Sequence, residues 1–314
     1  MAQTNSVGHS SSTRDWLREQ VHFFRMRREA ARNLHGPRKI LQRIDQLNAL
    51  YRKHSGRSLE TAACLEIGFG QFPTRLLMMH SLGIDVKGID LDRPLLKGSI
   101  SEFAELYRKN GFRRFLKSVV RHYMFDRNTK QRFDAVLRER GHKLKIPDDA
   151  FIVGDAANVS VPSQSIDFVF SDDVFEHIPV DQIHVICRNL TKWLKPDGIA
   201  VLTPALYSGI AGGHLTEWYP HVVDKDIPRE TEAWEHLRKR RVHADCYLNE
   251  VRLHEFREIF AQYFDIVEEV NDEIGLGRAH LTPEIREELA DYSEEELLSH
   301  RVSYVLMQKD RAKS

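Results

Sequence analysis

The sequence predicts an α/β fold with a doubly wound, mostly parallel sheet, and two segments near residue 70 carry this prediction. The apolar run 62–65 leads into Glu66-Ile67-Gly68-Phe69-Gly70, and a second apolar run, 86–89, ends in Asp90. A strand, a glycine turn that opens a helix, and a second strand that ends in a carboxylate build a nucleoside site in such sheets. The sequence therefore predicts both a fold class and a ligand class.

The residues of this turn each have a physical role. Gly68 and Gly70 lack a Cβ, so the backbone can turn tightly and approach a ligand closely. Pro73 suits the first turn of the following helix, whose N-terminus points at the bound molecule. Ionised Asp90 only accepts hydrogen bonds, so it can bind both hydroxyls of a ribose.

Two details favour S-adenosyl-L-methionine over a dinucleotide as the cofactor. A dinucleotide fingerprint has a third glycine where this chain has Pro73. Glu66 precedes the first glycine by two residues, and its carboxylate would repel a pyrophosphate but attract a cation. S-adenosylmethionine carries a sulfonium and an ammonium group and no phosphate.

With these residues the chain resembles the class I S-adenosylmethionine-dependent methyltransferases, in particular the small-molecule and ubiquinone-type enzymes. Glu66, Gly68 and Gly70 match the family's first motif, and Asp90 matches its second. Further motifs follow in the family's order over residues 62–204. They are the Gly-Asp-Ala loop within 153–157, a strand and Glu-His-Ile segment within 166–178, and a turn and strand within 193–203. One departure is Phe72, where many members carry a third glycine and where a bulky side chain would narrow the methionine end.

The resemblance implies a set of cofactor-binding residues and a sheet topology. The expected cofactor-binding residues are Glu66, Gly68, Phe69, Gly70, Asp90, Leu91, Asp155, Ala156 and Ser171. In the family, the acid at Asp155 accepts a hydrogen bond from the adenine amino group. The expected sheet is Rossmann-like, mostly parallel, with an antiparallel last strand.

Hydrophobic patterning places seven strands and several helical segments. The predicted strands cover 62–67, 86–90, 150–153, 166–171, 199–203, 264–268 and 301–307. We expect a disordered tail at 1–12, an N-terminal helical cap at 13–57 with helices over 13–33 and 37–54, and a methyltransferase domain at 58–310. Helical insertions are expected at about 93–148 and 205–250. An acidic helix over 284–296 is expected to begin with Thr282 as N-cap and Pro283 at its first position.

The first insertion is strongly basic, although the whole chain is neutral. Residues 93–145 contain 15 Lys and Arg against 5 Asp and Glu, whereas the chain has 46 of each. One interpretation is a solvated helical lid that packs over the cleft. The other is a patch around Arg113, Arg114, Lys117 and Arg121 that attracts an anionic acceptor, such as a nucleotide-linked or lipid-linked sugar.

Two histidines are the leading candidates for chemistry on the methyl acceptor. Transfer to a hydroxyl requires alignment of the nucleophile, exclusion of water and removal of a proton. His177 follows the fourth predicted strand, and His214 follows Gly212-Gly213 after the fifth, in a loop that the glycines could leave mobile. Both strands end where substrate meets cofactor in such sheets, and histidine titrates near neutral pH. Asp173 is the third candidate.

The sequence does not predict a metal site. Asp172 and Asp173 could act as a base or hold a divalent cation with His214 and Glu217, but these positions are scattered along the chain. The three cysteines, Cys64, Cys187 and Cys246, are too few and too widely spaced for a disulfide framework or a zinc site. Cys64 and Cys187 lie in apolar segments and are expected in the core.

The predicted function is methylation of a small-molecule or glycan-type acceptor, at a hydroxyl oxygen. The alternatives are an N-methyltransferase of a small molecule and a non-catalytic cofactor-binding regulatory module. Balanced charge points to no nucleic-acid or membrane partner, and the segment after the fourth strand lacks the Asn/Asp-Pro-Pro-aromatic motif of amino-methylating DNA enzymes. The N-terminus shows no signal peptide and no apolar run approaches about 20 residues, so a cytoplasmic protein without a membrane span is expected. The oligomeric state is left open.

Overall fold

The computed structural model describes residues 35–147, 149–240, 244, 246–271 and 273–309. The predicted tail at 1–12 and the predicted helix over 13–33 lie outside these residues. Within the described part of the chain, no helix is both long and apolar enough to cross a lipid bilayer.

A seven-stranded sheet forms the centre of the molecule. Its strands are β1 Ala63–Ile67, β2 Asp85–Asp90, β3 Phe151–Val153, β4 Ile166–Asp172, β5 Leu194–Thr203, β6 Phe264–Asn271 and β7 Val302–Gln308. The order is β3-β2-β1-β4-β5-β7-β6. The first five strands pair in parallel, whereas β7 is antiparallel to both β5 and β6. The predicted fold class, including the antiparallel last strand, is confirmed.

Helices connect the strands and also form much of the first insertion. They are α1 His35–Ser55, α2 Thr74–Ser81, α3 Ile100–Arg121, α4 Arg127–Glu139, α5 Val180–Trp193, α6 Glu235–Arg238, α7 Leu253–Tyr263, α8 Pro283–Glu288 and α9 Glu294–Leu297. A reciprocal pair of hydrogen bonds between Ser99 and Glu102 caps the start of α3. Gly111 interrupts α3 with a φ of 73°, and a π-helical turn, His122–Asp126, joins α3 to α4.

The acidic segment 284–296 differs from the predicted single helix. It forms two short helices, α8 and α9, separated by residues 289–293. Thr282 caps α8 and Pro283 is its first residue, as predicted. Ser293 starts α9 because its Oγ accepts a hydrogen bond from the backbone N–H of Glu296 at 3.1 Å. A serine that binds the backbone in this way competes with a continuous helix.

Apolar side chains pack on both faces of the sheet. Successive residues of a strand point to opposite faces, and in β4 this sends Val169 into one cluster and Phe168 and Phe170 into the other. Cys64 and Cys187 are buried, one in each cluster, as predicted. A third cluster around Trp234 and residues of α8 and α9 gives the second insertion a small core of its own.

A buried chain of charges ties α1 and α2 to the sheet. Asp172, at the end of β4, accepts hydrogen bonds from Arg43 of α1 at 2.9 and 3.1 Å and from Arg75 of α2 at 2.9 Å. Arg75 also donates to Glu66 of β1 at 2.9 Å. Burial raises the pKa of Asp172, but Arg75 and Arg43 outweigh burial and hold that pKa well below its ordinary value. The carboxylate therefore remains charged and forms ion pairs with both guanidinium groups.

Removal of this carboxylate should be strongly destabilising. We expect Asp172→Ala to lower the free energy of unfolding by about 3–5 kcal/mol, because it leaves buried guanidinium charge without a partner. Urea denaturation followed by circular dichroism measures this loss. The matched control is Asp45→Ala, which breaks an exposed bidentate pair with Arg140 and should cost less than about 1 kcal/mol. Equal losses in the two variants would contradict a special role for the buried network.

The acid limb of the stability profile should change as well. The folded-state pKa of Asp172 lies below its unfolded value, so its stabilisation is present above about pH 4 and is lost as the pH falls further. Asp172→Asn should therefore lose stability near neutral pH and show a shallower decline between about pH 5 and 2. Unfolding curves recorded across this range check the slope.

Candidate functional site

The candidate site lies at the carboxyl ends of β1, β2, β4 and β5. The strand order reverses between β1 and β4, which are neighbours in the sheet. In open α/β sheets, ligands bind in the crevice outside the strand ends at such a reversal. The loops after these four strands carry most of the residues that the sequence singled out.

The glycine turn after β1 is held by the acid that ends β2. One oxygen of Asp90 accepts from the backbone N–H of Gly70 at 2.7 Å, and the other accepts from that of Asp92 at 2.9 Å. Gly68 and Gly70 have φ of 78° and 70°, a region that favours glycine. A Cβ on Gly68 would lie 2.2 Å from a methyl of Val174, whereas a Cβ on Gly70 would meet nothing within 4 Å. The turn is therefore tightly packed at Gly68 and open at Gly70.

Glu66 has one carboxylate oxygen paired and one without a partner. Its side chain is 1% exposed, and Oε1 accepts from Arg75. Oε2 has no hydrogen-bond partner among the described residues. Burial raises the pKa of this carboxyl, and Arg75 opposes the rise. A buried acceptor without a partner is costly, so Oε2 fits the cationic end of the expected cofactor. The pair with Arg75 was not predicted from the sequence.

The other residues expected at the cofactor occupy different environments. Leu91 is 68% exposed, while Ala156 is buried. Phe69 is buried with its ring 5.5 Å from that of Phe151. Asp155 accepts from the backbone N–H of Ala157 at 2.8 Å, which shapes the loop after β3.

Ser171 and Phe72 have packing roles that the sequence did not indicate. Ser171 is fully buried, and its Oγ donates to the carbonyl of Ile67 at 2.9 Å. Its side chain therefore links β4 to β1. The ring of Phe72 packs 6.0 Å from that of Phe133 in the first insertion, so the bulky residue contributes to the contact between the turn and α4.

The two candidate catalytic histidines lie side by side. The ring centroids of His177 and His214 are 5.0 Å apart, with the rings nearly perpendicular. Nδ1 of His177 is 3.0 Å from the backbone carbonyl oxygen of Tyr247. A carbonyl only accepts, so Nδ1 carries the hydrogen, and in the neutral ring Nε2 keeps its lone pair. Burial and the neighbouring His177 lower the pKa of His214, and Asp173 opposes them.

The loop that carries His214 is tightly packed, although its glycines suggested mobility. A Cβ on Gly213 would lie 2.7 Å from the ring of His236, and one on Gly212 would lie 2.1 Å from the carbonyl oxygen of Tyr207. His214 itself has a φ of 55°, which is costly for a residue other than glycine and persists only where the surroundings enforce it. The glycines therefore allow close packing that fixes the position of His214.

The three carboxylates that could act as metal ligands have other partners in the structure. Asp172 is paired with Arg43 and Arg75 in the buried network. Glu217 accepts from the backbone N–H groups of Glu230 and Thr231 at 2.8 Å each. Asp173, with a φ of 58°, pairs with Arg301 at 3.2 Å. The structure does not gather these acids around His214.

Two residues that sequence reasoning missed lie beside the histidines. Cys246 Sγ is 3.8 Å from Nδ1 of His214. Oε1 of Glu176 is 3.8 Å from Nε2 of His177. Burial, together with Asp173, raises the pKa of Glu176 to about 8. No local pattern could have found Cys246, because it is far from both histidines in sequence, whereas Glu176 stands in the Glu-His-Ile segment.

One family model matches part of the chain. Residues 110–202 match the model of a family described as a methyltransferase domain. The matched residues include β3, β4 and all but the last residue of β5. This part of the chain is therefore similar to a methyltransferase domain. Glu66 Oε2 and the open space beside Gly70 fit S-adenosylmethionine, the cofactor expected from the sequence.

Several solved structures are similar to this chain at low sequence identity. Geranyl diphosphate C-methyltransferase from Streptomyces coelicolor is 11% identical, with 98% of this chain and 89% of that chain covered and a TM-score of 0.41. A TehB-like methyltransferase from Corynebacterium glutamicum is 14% identical, with coverages of 88% and 100% and a TM-score of 0.39. Phosphoethanolamine N-methyltransferase 2 from Haemonchus contortus is 17% identical, with coverages of 85% and 53% and a TM-score of 0.41. A search of curated protein sequences finds no match.

Cofactor affinity should depend on the carboxylate of Asp90. We expect Asp90→Ala to weaken S-adenosylhomocysteine binding by about 1–3 kcal/mol, the scale for loss of a charge-assisted hydrogen-bond partner. Part of this loss would come from the glycine turn that Asp90 holds. Titration calorimetry measures the change, and Asp85→Ala, at the exposed opposite end of β2, is the matched control. Unchanged affinity in Asp90→Ala would contradict the predicted ribose contact.

Proposed function

We propose that this methyltransferase acts on a small-molecule or glycan-type acceptor and methylates a hydroxyl oxygen. The pairing of His177 with His214 at the ends of β4 and β5 carries this proposal. Burial and His177 lower the pKa of His214, so its imidazole is neutral near pH 7 and able to accept a proton. An oxygen nucleophile requires such a base, because a neutral hydroxyl is a weak nucleophile.

We assign the cofactor-binding residues to different parts of the ligand. S-adenosylmethionine supplies an electrophilic methyl group when it is bound. We assign the ribose to Asp90, the cationic methionine end to Oε2 of Glu66, and the adenine to the loop of Asp155. The glycine turn at 68–70 lets the backbone approach closely, while Phe69 and Ala156 provide apolar surface beside it.

The acceptor would lie against the loop after β5. Trp218 is buried there, donates to Thr231 at 3.0 Å and lies under the guanidinium of Arg229. It therefore supports the loop and does not offer a face to a ligand. Tyr219 and His221, with ring centroids 6.1 Å apart, are more accessible and remain candidates for contact with a hydroxylated acceptor.

N-methylation is the second candidate, and Glu176 favours it. This buried carboxyl group lies beside His177, where it could bind an ammonium group of an amine acceptor. An amine needs less help from a base than a hydroxyl, since its lone pair is already nucleophilic once the proton is lost. A non-catalytic regulatory module is the third possibility, and any methyl transfer above background excludes it.

Three expectations from the sequence stay predictions. An anionic acceptor was expected from the basic insertion, but the side chains of Arg113, Arg114, Lys117 and Arg121 lie outside the described part of the structure. The division into an N-terminal cap at 13–57 and a methyltransferase domain at 58–310 is likewise a proposal, as is a cytoplasmic location.

The His214→Ala variant tests whether His214 acts as the general base. We expect His214→Ala to lower turnover by about 10² to 10⁴ while S-adenosylhomocysteine affinity persists, because a general base contributes to the rate and not to cofactor binding. Formation of S-adenosylhomocysteine with a panel of hydroxylated and amine acceptors measures turnover, and calorimetry measures affinity. His254→Ala, on the exposed face of α7, is the control.

The corresponding His177→Ala variant completes the test. If His177→Ala and His214→Ala both retain full turnover, neither histidine is the base. If amine acceptors are methylated and hydroxylated ones are not, the oxygen proposal fails and N-methylation replaces it.

A further inference from the structure

We infer that His177, His214 and Cys246 form a binding site for Zn²⁺. One ligand atom from each of these side chains lies within 4.8 Å of the other two. Imidazole nitrogen and thiolate sulfur are ligands that Zn²⁺ prefers. The three residues come from three separate segments of the chain, so the fold and not a local motif brings them together.

The distances require only a small closure around an ion. Atoms that are all within 4.8 Å of one another share a point no more than about 2.8 Å from each, and typical ligand distances are about 2.0–2.1 Å for Zn–N and 2.3 Å for Zn–S. The Sγ of Cys246 is already 3.8 Å from Nδ1 of His214, and two such ligands of one tetrahedral zinc are about 3.6 Å apart. Shifts below about 1 Å therefore complete the site.

The orientation of His177 is that of a metal ligand. Its Nδ1–H donates to the backbone carbonyl of Tyr247 at 3.0 Å. Metal-binding histidines almost always donate their second ring N–H to a carbonyl or carboxylate, which fixes the tautomer and the ring plane. The remaining lone pair, on Nε2, is then available to the ion.

Hydrogen bonds fix the segment of Cys246 against that of His177. The backbone N–H of Asn249 donates to the carbonyl of Glu176 at 2.9 Å. The side-chain amide of Asn249 donates to the carbonyls of Phe175 and Ile178 at 2.7 and 2.8 Å. Together with the bond to Tyr247, these contacts hold the segment that follows Cys246 against the segment that contains His177.

Glu176 provides an independent indication of a cation. Its side chain is 3% exposed, and neither carboxyl oxygen has a hydrogen-bond partner of normal geometry within the described residues. One of these oxygens faces Nε2 of His177 at 3.8 Å. A buried carboxylate is stable only when it is paired or close to a cation.

Three protein ligands leave the fourth position of a tetrahedral zinc open, as in catalytic zinc sites. The site lies where the proposed acceptor would bind, and a hydroxyl at the open position would be acidified by the ion and release its proton to water. This use of the ion rests on the proposed function, whereas the binding of zinc does not. If zinc acts on the acceptor in this way, the two histidines are ligands of the ion. The ion, and not an imidazole base, then promotes loss of the proton from the hydroxyl.

Zinc titration of the full chain tests the site directly. We expect chelator-stripped protein to bind one Zn²⁺ per chain, and Cys246→Ala to weaken this affinity by more than about 100-fold, since even partners outside the ligand shell account for 10- to 100-fold. The Co²⁺-substituted protein should show a thiolate-to-cobalt charge-transfer band that Cys246→Ala abolishes. His254→Ala is the control and should change neither measurement.

The possible outcomes separate this inference from the proposed function. Absence of stoichiometric zinc binding, absence of the thiolate band, or full affinity in Cys246→Ala would each overturn the metal site. Full methyl transfer by the stripped protein would overturn the use of zinc in the reaction. Two results together would support the use of zinc: loss of methyl transfer in both His214→Ala and Cys246→Ala, and recovery of transfer when Zn²⁺ is added back to the stripped native protein. A plain imidazole base instead predicts normal turnover in Cys246→Ala.

Discussion

The pairing of Asp172 with Arg43 and Arg75 is the constraint on which the site depends. Asp172 ends β4 at the point where the strand order reverses, and the arginines reach it from α1 and α2. Arg75 extends the network to Glu66, so the carboxylate proposed to face the cofactor is held by the helix that the glycine turn opens. Such a buried network is costly to break because each remaining charge loses its partner in a medium that solvates it poorly. Helix α1 and the candidate cofactor site are therefore joined by one network of charges.

The sequence predicted those parts of the site that local patterns encode. The glycine turn, the acid at the end of β2 and the seven strands follow from spacing and alternation, which involve residues close together in the chain. The pairing of Arg43 with Asp172 spans 129 residues, and the approach of Cys246 to His214 spans 32. Contacts of this kind depend on how loops pack after the sheet has formed, and no period or motif reports them. The single acidic helix was wrong for a related reason, since the hydroxyl of Ser293 decides a local competition that charge patterning ignores.

The acceptor side of the site contrasts with the cofactor side in how it is built. The cofactor side uses strand ends and one helix, which are rigid. The acceptor side uses loops, and its precision comes from glycines without room for a Cβ and from the bonds of Asn249 to the segment 175–178. Loops held in this way can differ between related proteins while the sheet stays the same, which is how one fold serves many substrates.

The position of β7 has a consequence for how the protein is made. β7 is the last of the seven strands to leave the ribosome, yet it lies inside the sheet, between β5 and β6. Until it is present, β5 has an unpaired edge, and β6 has no partner strand. Unpaired edges invite association with other chains, and pairings distant in sequence form slowly. The nascent chain therefore carries a divided sheet until its final strand enters the gap, so this interval is when it has most need of protection by a chaperone.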